Sequence, residues 1–263
     1  MKILRIVDGE NGVPAGLLYG NPDAVNRLVP DGMCPNLITS YVLDSKEGLM
    51  LIDSGFGDIE PGRMYGNFIA AGYDPDDVKI VLLTHLHGDH IGGLIKGNKK
   101  VFKNAEIYIN DVELAFWKNR DNHTAVPEMM RYCFDAVDDL IRLYGSQIKT
   151  FKEGERVVPW LAPVNVAGHT AGHTMFELNY DGERAFLWGD IIHCLDVQAR
   201  YPEVTAEVDT DRDQARQARM RALELVADTD LPVFGEHFTN PGVGKFYTLP
   251  EGGYRFVPVE TGQ

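Results

Sequence analysis

The sequence has few cysteines, a deficit of basic residues and no long apolar run. Its three cysteines, Cys34, Cys133 and Cys194, are widely spaced without a C-x-x-C motif. This pattern predicts reduced thiols in a cytoplasm rather than a disulfide framework, with Cys194 packed as a small apolar side chain. The formal charge of −14 disfavours nucleic acid as a partner. No stretch approaches the roughly 20 apolar residues of a membrane span. The N-terminal apolar run is also too short for a signal peptide. These absences predict a cytoplasmic protein with no membrane partner.

Strand and helix signals interleave along the whole chain, and no linker separates two halves. They predict one α/β domain over residues 1–263, with sheets packed on each other and helices outside. Strands are predicted at 37–43, 49–52, 78–84, 105–109, 147–151, 156–159, 161–167, 173–180, 184–189, 231–234, 245–248 and 254–259. Helices are predicted at 59–72, 91–94, 112–118, 127–144 and 211–227.

The segment 84–90 places three imidazoles and a carboxylate directly after the apolar run 80–83. Imidazole nitrogens and carboxylate oxygens are ligands that zinc and similar divalent metals prefer. In extended backbone, His85 and His87 share one side, and a turn at Gly88 directs Asp89 and His90 elsewhere. Burying these groups without a partner would cost several kcal/mol. The segment therefore predicts a metal site and is able to supply two adjacent metals.

Three later residues each follow an apolar strand at a glycine-marked turn: His169, Asp190 and His237. Each of them alone is more typical of a capping or turn residue than of a metal ligand. Together they repeat one arrangement, a strand end that presents a ligand, and catalytic groups are often found on such loops.

The order of these motifs resembles that of the metallo-β-lactamase superfamily over nearly the full length of the chain. The motifs are, in order, H-x-H-x-D-H, G-H-T-x-G-H, a strand-end G-D and a late G-x-H. The resemblance implies a four-layer αββα sandwich with two divalent metals, zinc first, with manganese, cobalt or iron as alternatives. It implies a first metal held by His85, His87 and His169. It implies a second held by Asp89, His90 and His237, with Asp190 bridging the two. In this family Asp53 would be a buried group that supports the ligand loops, and His173 would not be a ligand.

Within this superfamily, the chain resembles the branch that contains methyl parathion hydrolase and quorum-quenching lactonases. The segments that carry this resemblance are 189–193, 197–198, 241–244 and 253–259. Those lactonases usually carry a Tyr three residues after the bridging Asp, where it polarises the substrate carbonyl. This chain has His193 at that position, which makes it a candidate substitute donor and weakens the case for acyl-homoserine lactones.

The resemblance implies a metal-dependent hydrolase in which a bridging hydroxide attacks a small ester or lactone. Asp89 and Asp190 would hold the hydroxide and accept its proton, and no G-x-S-x-G nucleophile motif is present. A phosphotriester hydrolase with the same site is the first alternative. A mononuclear iron dioxygenase and a non-catalytic metal-stabilised binding module are the others. Related enzymes are often dimers, which makes a homodimer one candidate assembly, although the sequence alone leaves the oligomeric state open.

Several apolar residues are candidates for the wall of a substrate pocket, with ordinary core packing as the alternative. They are Phe116, Trp117, Met129, Met130, Phe134 and Leu195.

Overall fold

The structure is a computed structural model that describes residues 1–57, 59 and 62–259. Its internal contacts divide the chain into two compact units. Unit 1 comprises Met1–Gly9 and Ile38–Val157, and unit 2 comprises Glu10–Leu37 and Val158–Gln263. Each unit contains one six-stranded sheet.

The sheet of unit 1 has its strands side by side in sequence order. They are β1 (Lys2–Glu10), β2 (Leu37–Ser45), β3 (Gly48–Ile52), β4 (Val78–Leu82), β5 (Glu106–Asn110) and β6 (Ile148–Phe151). β2 and β3 form an antiparallel hairpin, whereas β3 to β6 pair in parallel. Leu51, Ile52, Val81 and Leu82 are fully buried, as expected for parallel strands covered on both faces. The carboxyl ends of β3 and β4 therefore meet at one edge of this sheet.

The sheet of unit 2 also follows the sequence order. Its strands are β7 (Leu161–Asn165), β8 (Thr174–Tyr180), β9 (Glu183–Leu187), β10 (Val233–Phe234), β11 (Val243–Thr248) and β12 (Tyr254–Pro258). All neighbours are antiparallel except β9 and β10, which pair in parallel with Leu187 opposite Phe234.

Seven α-helices occur in the described part of the chain. They are α1 (Pro22–Leu28), α2 (Met64–Ala70), α3 (Gly88–Ile91), α4 (Asp111–Lys118), α5 (Cys133–Tyr144), α6 (Leu195–Gln198) and α7 (Arg212–Val226). Short 3-10 turns occupy Ala15–Leu17, Pro75–Asp77, Gly92–Leu94, Arg120–Thr124, Glu128–Met130 and Gly145–Gln147. Two-residue strands pair Val13–Pro14 with Met33–Cys34, Leu18–Tyr19 with Thr205–Ala206, and Ile95–Lys96 with Lys99–Lys100.

The structure confirms most predicted elements and corrects several. The predicted helix over 127–144 is a 3-10 turn followed by α5 from Cys133, and the predicted helix over 59–72 is α2 from Met64 to Ala70. Positions 60 and 61 of that prediction lie outside the described residues. The predicted strand at 156–159 is wrong, because only Val158 forms an isolated bridge there, to Leu161. The strand β1 was not predicted.

The prediction of three reduced cysteines is also wrong. Cys34 and Cys194 form a disulfide across 160 residues of sequence, and Cys133 is a buried free thiol. Cys194 is therefore a covalent link in unit 2 rather than only a packed side chain. The spacing of the cysteines could not reveal this pair, because the short strand Met33–Cys34 and α6 come together only in the fold.

Among the described residues, no helix is both long enough and apolar enough to cross a membrane.

Candidate metal centre

Asp53 supports the histidine loop of unit 1 from the end of β3. Its Oδ1 accepts a hydrogen bond from the backbone N of Thr84 at 2.9 Å, and its Oδ2 accepts one from the Thr84 hydroxyl at 2.7 Å. The same Oδ2 lies 2.8 Å from His90 Nδ1. Because Ile52 pairs with Leu82 in parallel strands, Asp53 and Thr84 leave the sheet at the same edge. Asp53 is thus a buried carboxylate that orients the ligand loop, as the resemblance implied.

The structure brings the four predicted ligands of unit 1 together, and we call His85, His87, Asp89 and His90 the first ligand group. The rings of His85 and His87 are 4.6 Å apart between centroids, and those of His85 and His90 are 4.0 Å apart. The carboxylate of Asp89 lies 3.7 Å from His90 Nε2. Thr84 Oγ1 is 3.0 Å from His85 Nδ1. All three imidazoles are buried.

Glu113, on α4, holds the middle of the same loop. Its Oε1 accepts hydrogen bonds from the backbone N of Leu86 at 3.0 Å and from Trp117 Nε1 at 2.8 Å. The Trp117 ring in turn packs edge-on against His87, with centroids 5.6 Å apart. Trp117 also packs against the buried Phe134, so both of these pocket-wall candidates belong to the core of unit 1.

In unit 2, three imidazole nitrogens surround one carboxylate oxygen. Asp190 Oδ2 lies 2.9 Å from His237 Nε2, 3.2 Å from His193 Nε2 and 3.3 Å from His169 Nε2. We call His169, Asp190 and His237, the three predicted ligands of this unit, the second ligand group. All three are buried, and His193 is buried beside them.

The register of β9 and β10 explains why Asp190 meets His237. The two strands are parallel, and Leu187 pairs with Phe234. Asp190 and His237 each come three residues after these paired positions. Equal offsets from parallel neighbours bring the two side chains to the same edge of the sheet, although 47 residues separate them in sequence.

Asp209 orients His169 and was not predicted as part of the site. Its Oδ1 lies 2.9 Å from His169 Nδ1, its Oδ2 accepts the backbone N of Ala206, and the buried Arg219 guanidinium is 3.7 Å away. Burial alone lowers the pKa of His169, but the hydrogen bonds to Asp190 and Asp209 outweigh it and raise this pKa to about 9. Burial raises the pKa of Asp209, yet His169 and Arg219 more than offset it and lower that pKa to about 2.

Helix α7 packs so closely against the backbone before His169 that position 168 has to be a glycine. Its φ of 135° is in the left-handed half of the backbone map, and a Cβ there would lie 2.1 Å from the backbone N of Ala215. Thr210 and Asp211, directly before α7, donate backbone hydrogen bonds to the carbonyls of His169 and Gly168. The residues that lead into α7 thereby fix the loop that presents His169.

Two further histidines lie against Asp190 in different ways. His173 Nε2 accepts the backbone N–H of Asp190 at 3.1 Å, so it orients the main chain, consistent with its expected non-ligand position. His193 instead faces the Asp190 carboxylate, and its pKa is lowered because burial outweighs the attraction of Asp190. Gln198 Oε1 accepts the backbone N–H groups of His193 and Cys194 and so fixes this turn. His169, His193 and Asp209 also satisfy the geometry of a possible metal-ligand set.

The donor chemistry fits divalent metals of the zinc type. Metal-binding histidines usually direct their second ring nitrogen to a carboxylate, carbonyl or other polar partner. Nδ1 has such a partner in His85 (Thr84), His90 (Asp53), His169 (Asp209) and His237 (the Leu37 carbonyl). A proton on Nδ1 in each ring leaves Nε2 as the metal-binding nitrogen.

Sequence reasoning missed Thr84, Glu113, Asp209 and Asn36 as supporting residues. Thr84 had one available signal, since it directly precedes the first ligand. Asp209 lies just before α7 in a segment rich in aspartates, and Asp211 is the residue of that segment that caps the helix, by accepting the backbone N–H of Gln214. Glu113 and Asn36 contact the ligand segments only through tertiary packing and gave no local signal.

Known proteins resemble this chain in sequence and fold. It is 26% identical over 184 residues to an N-acyl homoserine lactonase of Bacillus thuringiensis, covering 61% of this chain and 66% of that protein. The chain thus spans slightly less than two thirds of this curated relative. The structure of the hydrolase AbOPH superposes with a TM-score of 0.90 at 27% identity, covering 99% of this chain and 95% of the other. The structure of AidC, a dizinc quorum-quenching lactonase in complex with a product, gives a TM-score of 0.90 at 24% identity, with the same coverage.

These superpositions confirm the predicted metallo-β-lactamase fold. The family model of the metallo-β-lactamase superfamily matches residues 35–237, a range that includes both ligand groups. The chain belongs to the metallo-β-lactamase superfamily.

Proposed function

We propose that this chain is a dinuclear metal-dependent hydrolase of a small ester or lactone. The observation that carries the proposal is the consistent orientation of its buried histidines. Four Nδ1 atoms have a carboxylate, hydroxyl or carbonyl partner, and three Nε2 atoms converge on one oxygen of Asp190. A structural histidine cluster has no need of this common orientation, whereas it is typical of histidines that bind a metal.

The proposed ligand assignment follows the superfamily pattern. His85, His87 and His169 would hold the first metal, Asp89, His90 and His237 would hold the second, and Asp190 would be a ligand of both. Zinc is the proposed metal, because nitrogen and carboxylate ligands suit it and the superposed lactonase AidC is a dizinc protein.

Two such metals would supply Lewis-acid polarisation of a carbonyl oxygen and would make a water acidic enough to attack near neutral pH. The chain supplies the remaining functions. Asp89 and Asp190 hold the attacking oxygen in place and accept its proton. His193, next to Asp190, donates a hydrogen bond to the substrate oxygen and is the third proposed catalytic residue. No side-chain nucleophile is involved, so no acyl-enzyme forms.

The proposed substrate class rests on the lactonase relative. A lactone and an open ester present the same carbonyl group to this site, so both belong to the proposed substrate class. The presence of His193 where related lactonases carry Tyr makes a substrate range different from theirs the expected outcome. A phosphotriester is the alternative substrate.

A single experiment separates these functions. The metal content of the purified chain is measured both as isolated and after loading with Zn²⁺. Turnover is then assayed on lactones, aryl esters and phosphotriesters, and oxygen uptake is recorded for the protein as isolated. The expected result is near two metals per chain and turnover of a lactone or ester, lost in Asp190→Asn. Phosphotriester turnover alone would favour the alternative substrate. One iron per chain with oxygen uptake would instead show a dioxygenase. Full metal loading without turnover would indicate a binding module.

Location and assembly stay predictions. The proposed cytoplasmic location rested partly on reduced cysteines, and the disulfide removes that support, because such bonds are typical of oxidising compartments. The proposed homodimer is checked by measuring the mass of the protein in solution.

A further inference from the structure

The segment from Cys34 to Leu37 contacts His237 and His193, the two histidines whose Nε2 atoms lie closest to the Asp190 carboxylate. This segment follows α1 in the N-terminal part of unit 2. The Leu37 carbonyl lies 2.8 Å from His237 Nδ1, and Asn36 Nδ2 donates a 2.9 Å hydrogen bond to the carbonyl of His193. Two consecutive residues thus engage two residues that are far away in sequence.

The hydrogen bond from Asn36 to the His193 carbonyl lies in the interior of unit 2. Asn36 is 4% exposed and His193 is 5% exposed, so water does not compete freely for their hydrogen bond. On its other side, His193 is fixed by Gln198, which accepts its backbone N–H at 2.8 Å. The main chain of His193 is therefore held at both its N–H and its carbonyl.

The disulfide joins the same two segments covalently. Cys34 lies two residues before Asn36, and Cys194 directly follows His193. Both cysteines are buried in a cluster with Val25, Val29 and Val197. The bond therefore limits how far the Cys34–Leu37 segment can move from the turn that carries His193.

We propose that the Cys34–Cys194 disulfide and Asn36 together position His193 and His237 around Asp190, and thereby set the affinity of the second ligand group for metal. This inference rests on the proposed function, because it concerns the same metal centre. Asn36, Cys34 and Cys194 are positioning residues. They anchor the Cys34–Leu37 segment to the turn that carries His193, and the Leu37 carbonyl of this segment orients the proposed ligand His237. Without the disulfide, the Leu37 carbonyl no longer holds His237 Nδ1 in one place, and Nε2 samples orientations that face away from the metal.

The test titrates Zn²⁺ alone into metal-free full-length protein against a chromophoric chelator. Asn36→Ala keeps the disulfide and removes one hydrogen bond, and Cys34→Ala/Cys194→Ala removes the bond without leaving a thiol that could bind metal. Asn104→Ala is the matched control, because Asn104 also donates from its side chain to a backbone carbonyl, that of Asp76, at an exposed position of unit 1. Thermal unfolding of the metal-free forms is measured in parallel.

The expected result is a fall of about 10- to 100-fold in affinity for one of two Zn²⁺ ions in both test variants, the range typical of residues that orient metal ligands. Asn36→Ala should weaken one of the two Zn²⁺ sites only, although its unfolding midpoint also falls because a buried hydrogen bond is lost. A merely structural role would weaken both sites together. Asn104→Ala should bind Zn²⁺ like the wild type.

Wild-type affinity in both Asn36→Ala and the double variant would overturn the inference. If the double variant does not fold, Asn36→Ala decides alone. A wild type that binds two Zn²⁺ but hydrolyses nothing would contradict the proposed function, while the affinities would still decide the positioning role. A wild type that binds no Zn²⁺ would overturn both.

Discussion

Among single residues, Asp190 has the most constrained surroundings in unit 2. One of its oxygens has three imidazole neighbours, and its backbone N–H is held by a fourth histidine, His173. A carboxylate fixed at both its main chain and its side chain needs little rearrangement to bind a cation. The residues that orient its neighbours are therefore the most informative ones to change.

Asp209→Asn should weaken metal binding without removing a proposed ligand. The change removes the negative charge that holds His169 Nδ1 and leaves the buried Arg219 without its carboxylate. We expect Zn²⁺ affinity to fall about 10- to 100-fold, as measured by competition with a chelator. Asp213→Asn, an exposed position on the same helix α7, is the control and should bind Zn²⁺ normally. Equal affinities in the two variants would show that Asp209 does not orient a ligand.

His193→Phe distinguishes a substrate donor from a metal ligand. If His193 donates a hydrogen bond to the reacting oxygen, kcat should fall about 10²- to 10³-fold while two metals per chain are retained. His123→Phe is the control, because His123 packs on Phe134 and belongs to neither ligand group. Loss of one metal in His193→Phe would instead identify His193 as a ligand, and unchanged kcat would leave it no role in the reaction.

Among the elements, helix α4 links a capping residue to the ligand loop. Asn110 Oδ1 accepts the backbone N–H groups of Val112 and Glu113 at the start of the helix. Glu113, in the first turn, then accepts the backbone N–H of Leu86. The position of the first turn of α4 thus determines where the Glu113 carboxylate meets the backbone N–H of Leu86, between His85 and His87.

Asn110→Ala should lower the free energy of unfolding by about 1 kcal/mol, the usual cost of removing such a cap. Denaturant unfolding followed by circular dichroism measures it. Val112→Ala is the control in the same turn, since Val112 is exposed and its truncation should change stability by less than about 0.5 kcal/mol. A loss in Asn110→Ala no larger than in the control would exclude the capping role.

The elements also show what could be predicted from the sequence. Most strands that carry ligands were predicted because their apolar runs end at Gly, Asp or His, and this local pattern is independent of tertiary structure. The parallel pairing of β9 with β10 was not predicted, yet it brings His237 to Asp190. Asp209 and Glu113 were missed for the same reason: a buried carboxylate that contacts a histidine or a loop far along the chain has no local signal. The predicted ligands were found in advance because the family motif fixes their order, which physical patterns alone do not.

At the scale of the whole molecule, the state of the three cysteines is directly measurable. Burial raises the pKa of the Cys133 thiol to about 12, well above its ordinary value, so this thiol stays protonated and unreactive at pH 8. We expect a thiol reagent to label no cysteine of the native protein at pH 8. After denaturation it should label one cysteine per chain, and after denaturation with reduction three. Three labelled thiols without reduction would show that Cys34 and Cys194 are not bonded.

Unit 2 is built from two segments of the chain, Glu10–Leu37 and Val158–Gln263, and most of unit 1 is synthesised between them. Cys34 leaves the ribosome 160 residues ahead of Cys194, and Cys133 emerges between them. In an oxidising environment, Cys133 is therefore the first thiol that Cys34 can meet, and a bond between them would be non-native. Unit 1 ends at Val157, so its sequence is complete before Cys194 is added, and its folding would bury Cys133. Early folding of unit 1 would thus protect the correct pairing in unit 2.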